Sequence, residues 1–187
     1  AVELTNAVYD RIAAVDEQVN AYISLSKEEA LAKAAEVDAK IAAGEAIAPL
    51  AGIPVVFKDN INIYGQVTSC ASKMLQGVET VFDAHVTEEL RKEDAVFLGK
   101  ANMAEFSIGN TTDNSYNGAA HNPWNLACTT GGCATAAAVA AGEAVWALAS
   151  DTSGDLRQPA AYAGCVGIKP TYGRVSRLGL AAYASSM

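Results

Sequence analysis

Basic charge is scarce in this chain. Thirteen Lys and Arg stand against 21 Asp and Glu, a formal net charge of −8, and no Lys/Arg block occurs anywhere. A surface for direct nucleic-acid binding or for an anionic membrane needs clustered cations, so neither is expected. No apolar run approaches the roughly 20 residues that cross a bilayer. Cysteines are few as well: Cys70, Cys128, Cys133 and Cys165 in 187 residues. That is too sparse for a disulfide framework and reads as reduced thiols in a cytoplasmic protein. Cys128 and Cys133, with His121 upstream, fit no common zinc spacing and lack an obvious fourth ligand, so no metal site is expected. The N-terminus "AVELTNAVYDRIAAVDEQ" has early acids and no cationic region before an apolar core, so it does not read as a secretory leader.

What is present suits a globular chain. Hydrophobic residues make up 51% and charged residues 18%, enough apolar content for a substantial core and too little charge for disorder. The length fits one domain. Leu4, Val8, Ile12 and Ala13 line one side of a helix over residues 4–14. "KEEALAKAAEVDAKIAA" (27–43) combines Ala with Glu and Lys at helical spacing and is stopped by Gly44. The β-branched run from Ile53 to Phe57 reads as a buried strand that delivers Lys58 and Asp59 at its end. Residues 84–94 read as a helix, "AVFLGK" as a strand, "CATAAAVAAGEA" as a small-residue helix, and "VWALAS" as another strand. "CVGIKPT" (165–171) is strand-like too. Such alternation predicts an α/β fold, a sheet flanked by helices. The ending "AAYASSM" lacks the polar tail that usually closes a domain and reads as a cut.

Three places join glycines to reactive groups. Lys58 in "FKDN" is either a solvated ion-pair partner or, if buried, a proton shuttle with a depressed pKa. "TTGGCATAAAVAAG" is either a tight turn with close helix packing or a helix N-terminal site with Cys133 at its mouth. In "DTSGDLRQP", Thr152 to Asp155 could form a nest of N–H donors suited to an oxyanion.

Together and in this order, these places resemble one family. "PLAGIPVVFKDNINIYGQVTSCASKML", "LGKANMAEFSIGNTTDNS", "HNPWNL", "AAAVAAGEA" and "RQPAAYAGCVGIKPTYGRVSRLGL" are similar to the amidase signature family. Within it the likeness is greatest to the glutamine-hydrolysing subunits of tRNA-dependent amidotransferases. The resemblance implies an α/β/α fold around a mixed sheet, of which residues 1–187 would be the N-terminal portion, and amide hydrolysis by a Ser–cis-Ser–Lys triad with no metal or organic cofactor. It also implies a small amide substrate such as glutamine, ammonia for converting Glu-tRNA(Gln) to Gln-tRNA(Gln), and other amidotransferase subunits as partners.

Carried over by position, Lys58 matches the family lysine. Cys133 falls at the cis-Ser when Gly131 and Gly132 are kept in place; counting backward from the last motif would put Gly131 there instead. The preferred register shortens the turn by two residues, worth roughly 200° of helical rotation unless the turn absorbs it. Asp155 stands where the acyl-forming Ser should be, and Thr152, Ser153 and Gly154 form an altered oxyanion loop. A carboxylate there is a poor nucleophile toward amides, places its own charge in the oxyanion site, and is expected to pair with Lys58 and hold it protonated. The expectation is therefore a catalytically silent relative. Two alternatives stand: an active amidohydrolase using Cys133 as nucleophile, or an ordinary family member whose catalytic residues were altered by engineering or sequence assignment. An incomplete sheet would expose an edge and apolar surface, which favours self-association or a missing partner segment.

Overall fold

The structure is a computed structural model, and it describes residues 1–186. Met187, where the expected domain portion ends, lies outside the described residues. Helix α1 (Val2–Val19) buries Thr5, Val8, Tyr9, Ile12 and Val19 along one stripe. It outruns the expected residues 4–14 because Val19 prolongs the apolar stripe and Asp16 secures the end. The Asp16 carboxylate accepts Ala21 N–H at 2.6 Å, and Asn20 closes the helix in the left-handed region at φ 54°. A short strand that the apolar pattern did not reveal, β1 (Tyr22–Leu25), leads into α2 (Lys27–Ala42). Helix α2 turns Ala30, Ala34 and Val37 inward.

Strand β2 (Pro54–Lys58) is buried throughout, as is β3 (Val96–Ala101), which follows helix α3 (His85–Lys92). A short antiparallel hairpin, β4 (His121–Asn122) with β5 (Asn125–Thr129), precedes α4 (Thr135–Ala140). Strand β6 (Trp146–Leu148) and helix α5 (Arg157–Ala163) follow. The main sheet has the order β1-β3-β2-β6, with β2 parallel to both neighbours and β1 antiparallel to β3. The expected mixed sheet is present.

Strand alternation makes two cores. Val56, Val96 and Leu98 face α1, α2 and α4, while Val55, Phe57 and Phe97 face the other way, toward α3. Phe57 and Phe97 meet edge to face with centroids 4.7 Å apart. The β1–β3 contact depends on one glycine. A Cβ at Gly99 would stand 2.1 Å from the Ser24 carbonyl oxygen, so no larger residue fits where β1 crosses.

The expected strand over 165–171 does not form. Val166 is 90% and Ile168 74% exposed, and residues 165–170 pair with no strand among the described residues. An apolar, β-prone segment needs a ladder to become a strand, and this one has no neighbour to supply it.

Candidate active site

The site forms where two parallel strands end side by side, the usual place for ligand groups in open α/β sheets. Strand β2 ends at Lys58, and the chain leaving β6 carries Ser150 alongside. Lys58 is fully buried, and its Nζ donates to Ser150 Oγ at 3.1 Å and to Asp155 Oδ2 at 3.2 Å. Asp155 is 3% exposed. Asn60 Nδ2 donates to the same Ser150 oxygen at 2.9 Å.

The Gly131–Gly132 turn lies against this pair. A Cβ at Gly132 would stand 3.2 Å from Asp155 Oδ1 and 3.1 Å from the Gly109 carbonyl oxygen. The carboxylate therefore fills the space between Lys58 and the turn, and glycine is what lets it approach. The next residues are pinned to the segment that follows β3. Ala104 N–H donates to Gly132 O at 3.0 Å and Ala134 N–H to Asn102 O at 2.9 Å. This pairing holds Cys133 and Ala134 out of α4, so the helix is shorter than "CATAAAVAAGEA" suggested. It ends before Gly142, whose φ is +76°.

Cys133 is fully buried, and its Sγ lies 2.9 Å from Thr135 Oγ1. Among the described residues the hydrogen bonds of Lys58 go to Ser150 and Asp155, not to Cys133. Every peptide bond among those residues is trans.

The loop over 152–154 is organised by Asp151. Its carboxylate accepts N–H groups from Gly154 at 2.8 Å, Leu156 at 3.3 Å and Arg157 at 3.1 Å. The Arg157 guanidinium grips it with two further bonds, 2.9 and 3.0 Å. Burial alone would raise the Asp151 pKa, but Arg157 and the N–H groups overcome it and bring the carboxyl down to about 2. Thr152 and Ser153 are exposed. The Gly154 N–H is committed to Asp151 and is not free for a substrate oxygen.

Motif reasoning singled out Lys58, Cys133 and Asp155 but missed Ser150, Asn60 and Asp151. Ser150 sits directly before the "DTSGD" motif and Asn60 two residues after Lys58, so adjacency was the available signal. It also missed the second buried pair. Lys100 Nζ donates to Ile61 O at 2.6 Å and Thr68 Oγ1 at 2.9 Å, and lies 3.4 Å from Asp59 Oδ1. Burial pushes the Lys100 pKa down, while the Asp59 charge opposes that.

Backbone strain gathers nearby. Cys70, Ala71, Phe106 and Ser107 hold φ values of 52°, 53°, 51° and 61°. They are clamped by Phe106 N–H to Cys70 O at 3.0 Å and Tyr116 N–H to Ala71 O at 2.9 Å. Cys128 is exposed, apart from buried Cys133. Among the described residues no group of three or more His, Cys, Asp or Glu is placed to hold a metal ion. No described helix is long and apolar enough to cross a membrane.

The amidase family model matches residues 3–187. The A subunit of glutamyl-tRNA(Gln) amidotransferase from Clostridium botulinum (strain Kyoto / Type A2) is 50% identical over 189 residues, which covers 100% of this chain and 39% of that protein. Its counterpart from Desulforamulus reducens is 52% identical with the same coverage. The crystal structure of the Thermotoga maritima counterpart superposes with a TM-score of 0.83 at 41% identity, covering 98% of this chain and 38% of the other. The chain thus spans about 39% of the length of the curated relatives it matches.

Proposed function

The chain belongs to the amidase family, and from that premise we propose that it corresponds to the N-terminal portion of a glutamine amidohydrolase subunit whose hydrolytic site is silent in this polypeptide. The whole subunit would supply ammonia for converting Glu-tRNA(Gln) to Gln-tRNA(Gln). One observation carries the silence: the buried Lys58–Asp155 ion pair at 3.2 Å.

Amide hydrolysis of this kind needs three things at once. A hydroxyl must attack the carbonyl carbon, a neutral base must take its proton, and free N–H groups must receive the developing oxyanion. Here Asp155 offers a carboxylate instead of a hydroxyl. An ammonium that donates to that carboxylate has no lone pair to serve as base. The charge that should develop only in the transition state is already present, and the Gly154 N–H is taken by Asp151. The geometry gives less support to Cys133 as a substitute nucleophile, because its Sγ is buried against Thr135 and not bonded to Lys58.

The deciding experiment measures ammonia release from glutamine and from a simple aliphatic amide, with Lys58→Ala as the paired control. Neither protein is expected to release ammonia. Release that Lys58→Ala abolishes would overturn the silent reading.

Partner subunits and self-association belong to the same proposal. Strand β6 is an edge of the sheet, and Val166, Ile168 and Tyr172 stand exposed after it. Such surface favours association. Light scattering on the isolated chain is expected to show species larger than a monomer, and a monodisperse monomer would count against it.

A further inference from the structure

Away from the Lys58 site, one buried acid lacks any hydrogen-bond donor. Glu143 lies in the link between α4 and β6 and has no exposed surface, yet neither Oε1 nor Oε2 has a hydrogen-bond partner among the described residues. A buried carboxylate left this way is expensive, so something must complete it. Its neighbour is another carboxyl, Asp16 near the end of α1. Asp16 already accepts Ala21 N–H at 2.6 Å and Tyr22 N–H at 3.4 Å.

The other groups facing the pair do not supply a donor. Arg11 on α1 directs its Nε to the Ala141 carbonyl at 2.7 Å. The Tyr22 hydroxyl on β1 donates to the Glu143 backbone carbonyl at 2.8 Å, not to its side chain. Tyr9 lies beyond Tyr22 and donates to Leu98 O. The missing donor is then a proton on one of the two acids. Two backbone N–H groups favour the ionised form of Asp16, and none favours that of Glu143, so the proton belongs on Glu143.

We infer that Glu143 enters the fold as a neutral acid that donates to Asp16, and that this shared proton is a pH-released clasp between α1 and the α4–β6 link. The link is not incidental. Helix α4 starts beside Cys133 and β6 leads to Ser150, so the clasp braces the segment between two parts of the Lys58 site. Burial, then the Asp16 charge, raise the Glu143 pKa to about 8 from 4.5, with Arg11 opposing. Between those values the folded chain holds a proton that the unfolded chain has lost. Stability therefore falls as pH rises through that window and levels off above it.

The test is urea unfolding of the whole 187-residue chain across that window, with Glu143→Gln beside wild type. The Gln amide keeps a donor toward Asp16 and cannot titrate. The wild-type midpoint is expected to fall with rising pH, while that of Glu143→Gln stays level and overtakes it in the alkaline range. Parallel slopes would overturn the inference. Carbon-13 NMR of wild-type chain labelled at Glu carboxyls decides independently, even if the variant fails to fold. One Glu resonance is expected to titrate near pH 8; if every Glu titrates in the ordinary carboxylate range, the clasp does not exist.

Discussion

Two lysine–aspartate pairs lie buried within one fold, and they differ in how completely their hydrogen bonds are met. Lys100 donates to Ile61 O and Thr68 Oγ1 and lies 3.4 Å from Asp59 Oδ1. Asp59 in turn accepts from Ser69 N–H at 3.1 Å, Ser69 Oγ at 2.5 Å and Ala71 N–H at 3.2 Å. Lys58 has only Ser150 and Asp155, and Asp155 accepts only from Lys58 among the described residues. A buried ion pair offsets its desolvation only when further hydrogen bonds complete both partners. The Lys100 pair meets that condition and fastens the segment after β2 to β3. The Lys58 pair does not.

The comparison can be broken by substitution. Lys100→Met should have the largest effect, a loss of about 3–5 kcal/mol, because it strands a buried carboxylate; chemical denaturation measures it. Removing both members with Asp59→Leu and Lys100→Met should still cost about 1–3 kcal/mol for each group left unpaired, chiefly the Ser69 and Ala71 N–H groups. If that double variant were as stable as wild type, the Lys100 pair would be no scaffold.

Asp151 sharpens the contrast from the loop side. Its carboxyl is lowered to about 2, so the stability it provides is complete above the ordinary Asp range and drains away as pH falls toward that value. Asp151→Asn should remove that acid dependence and cost about 1 kcal/mol at neutral pH, since Arg157 is largely solvated. Unfolding midpoints between pH 5 and pH 2 would show it, about the window in which carboxylates protonate. The smallest change is expected where motif reasoning sees the most. Lys58→Met with Asp155→Leu should leave stability within about 1 kcal/mol of wild type, or raise it, because few other groups depend on that pair. A large loss would mean that the Lys58 pair is structural after all.

Helices α1 to α3 were legible because their apolar residues recur at helical spacing, and strands β2 and β3 because each is a short apolar run, buried throughout; helix α5 was not read from the sequence. Strand β1 was not, since Tyr22–Leu25 is short and only its first residue is buried. The segment over 165–171 misled for the opposite reason: its residues favour a strand, but β structure is made between segments, not within one.

The chain's own order of residues determined the family, helices α1 to α4, the strand that carries Lys58, and the presence of a carboxylate at position 155. Those depend on local periodicity and on motif identity, which a linear string contains. Only the tertiary structure decided that Ser150 and not Cys133 is the second partner of Lys58, and that Glu143 is buried beside Asp16. These contacts join residues far apart in the chain, and their energies depend on burial and on which donors remain unspent. Neither quantity exists until the sheet and its helices have closed around them.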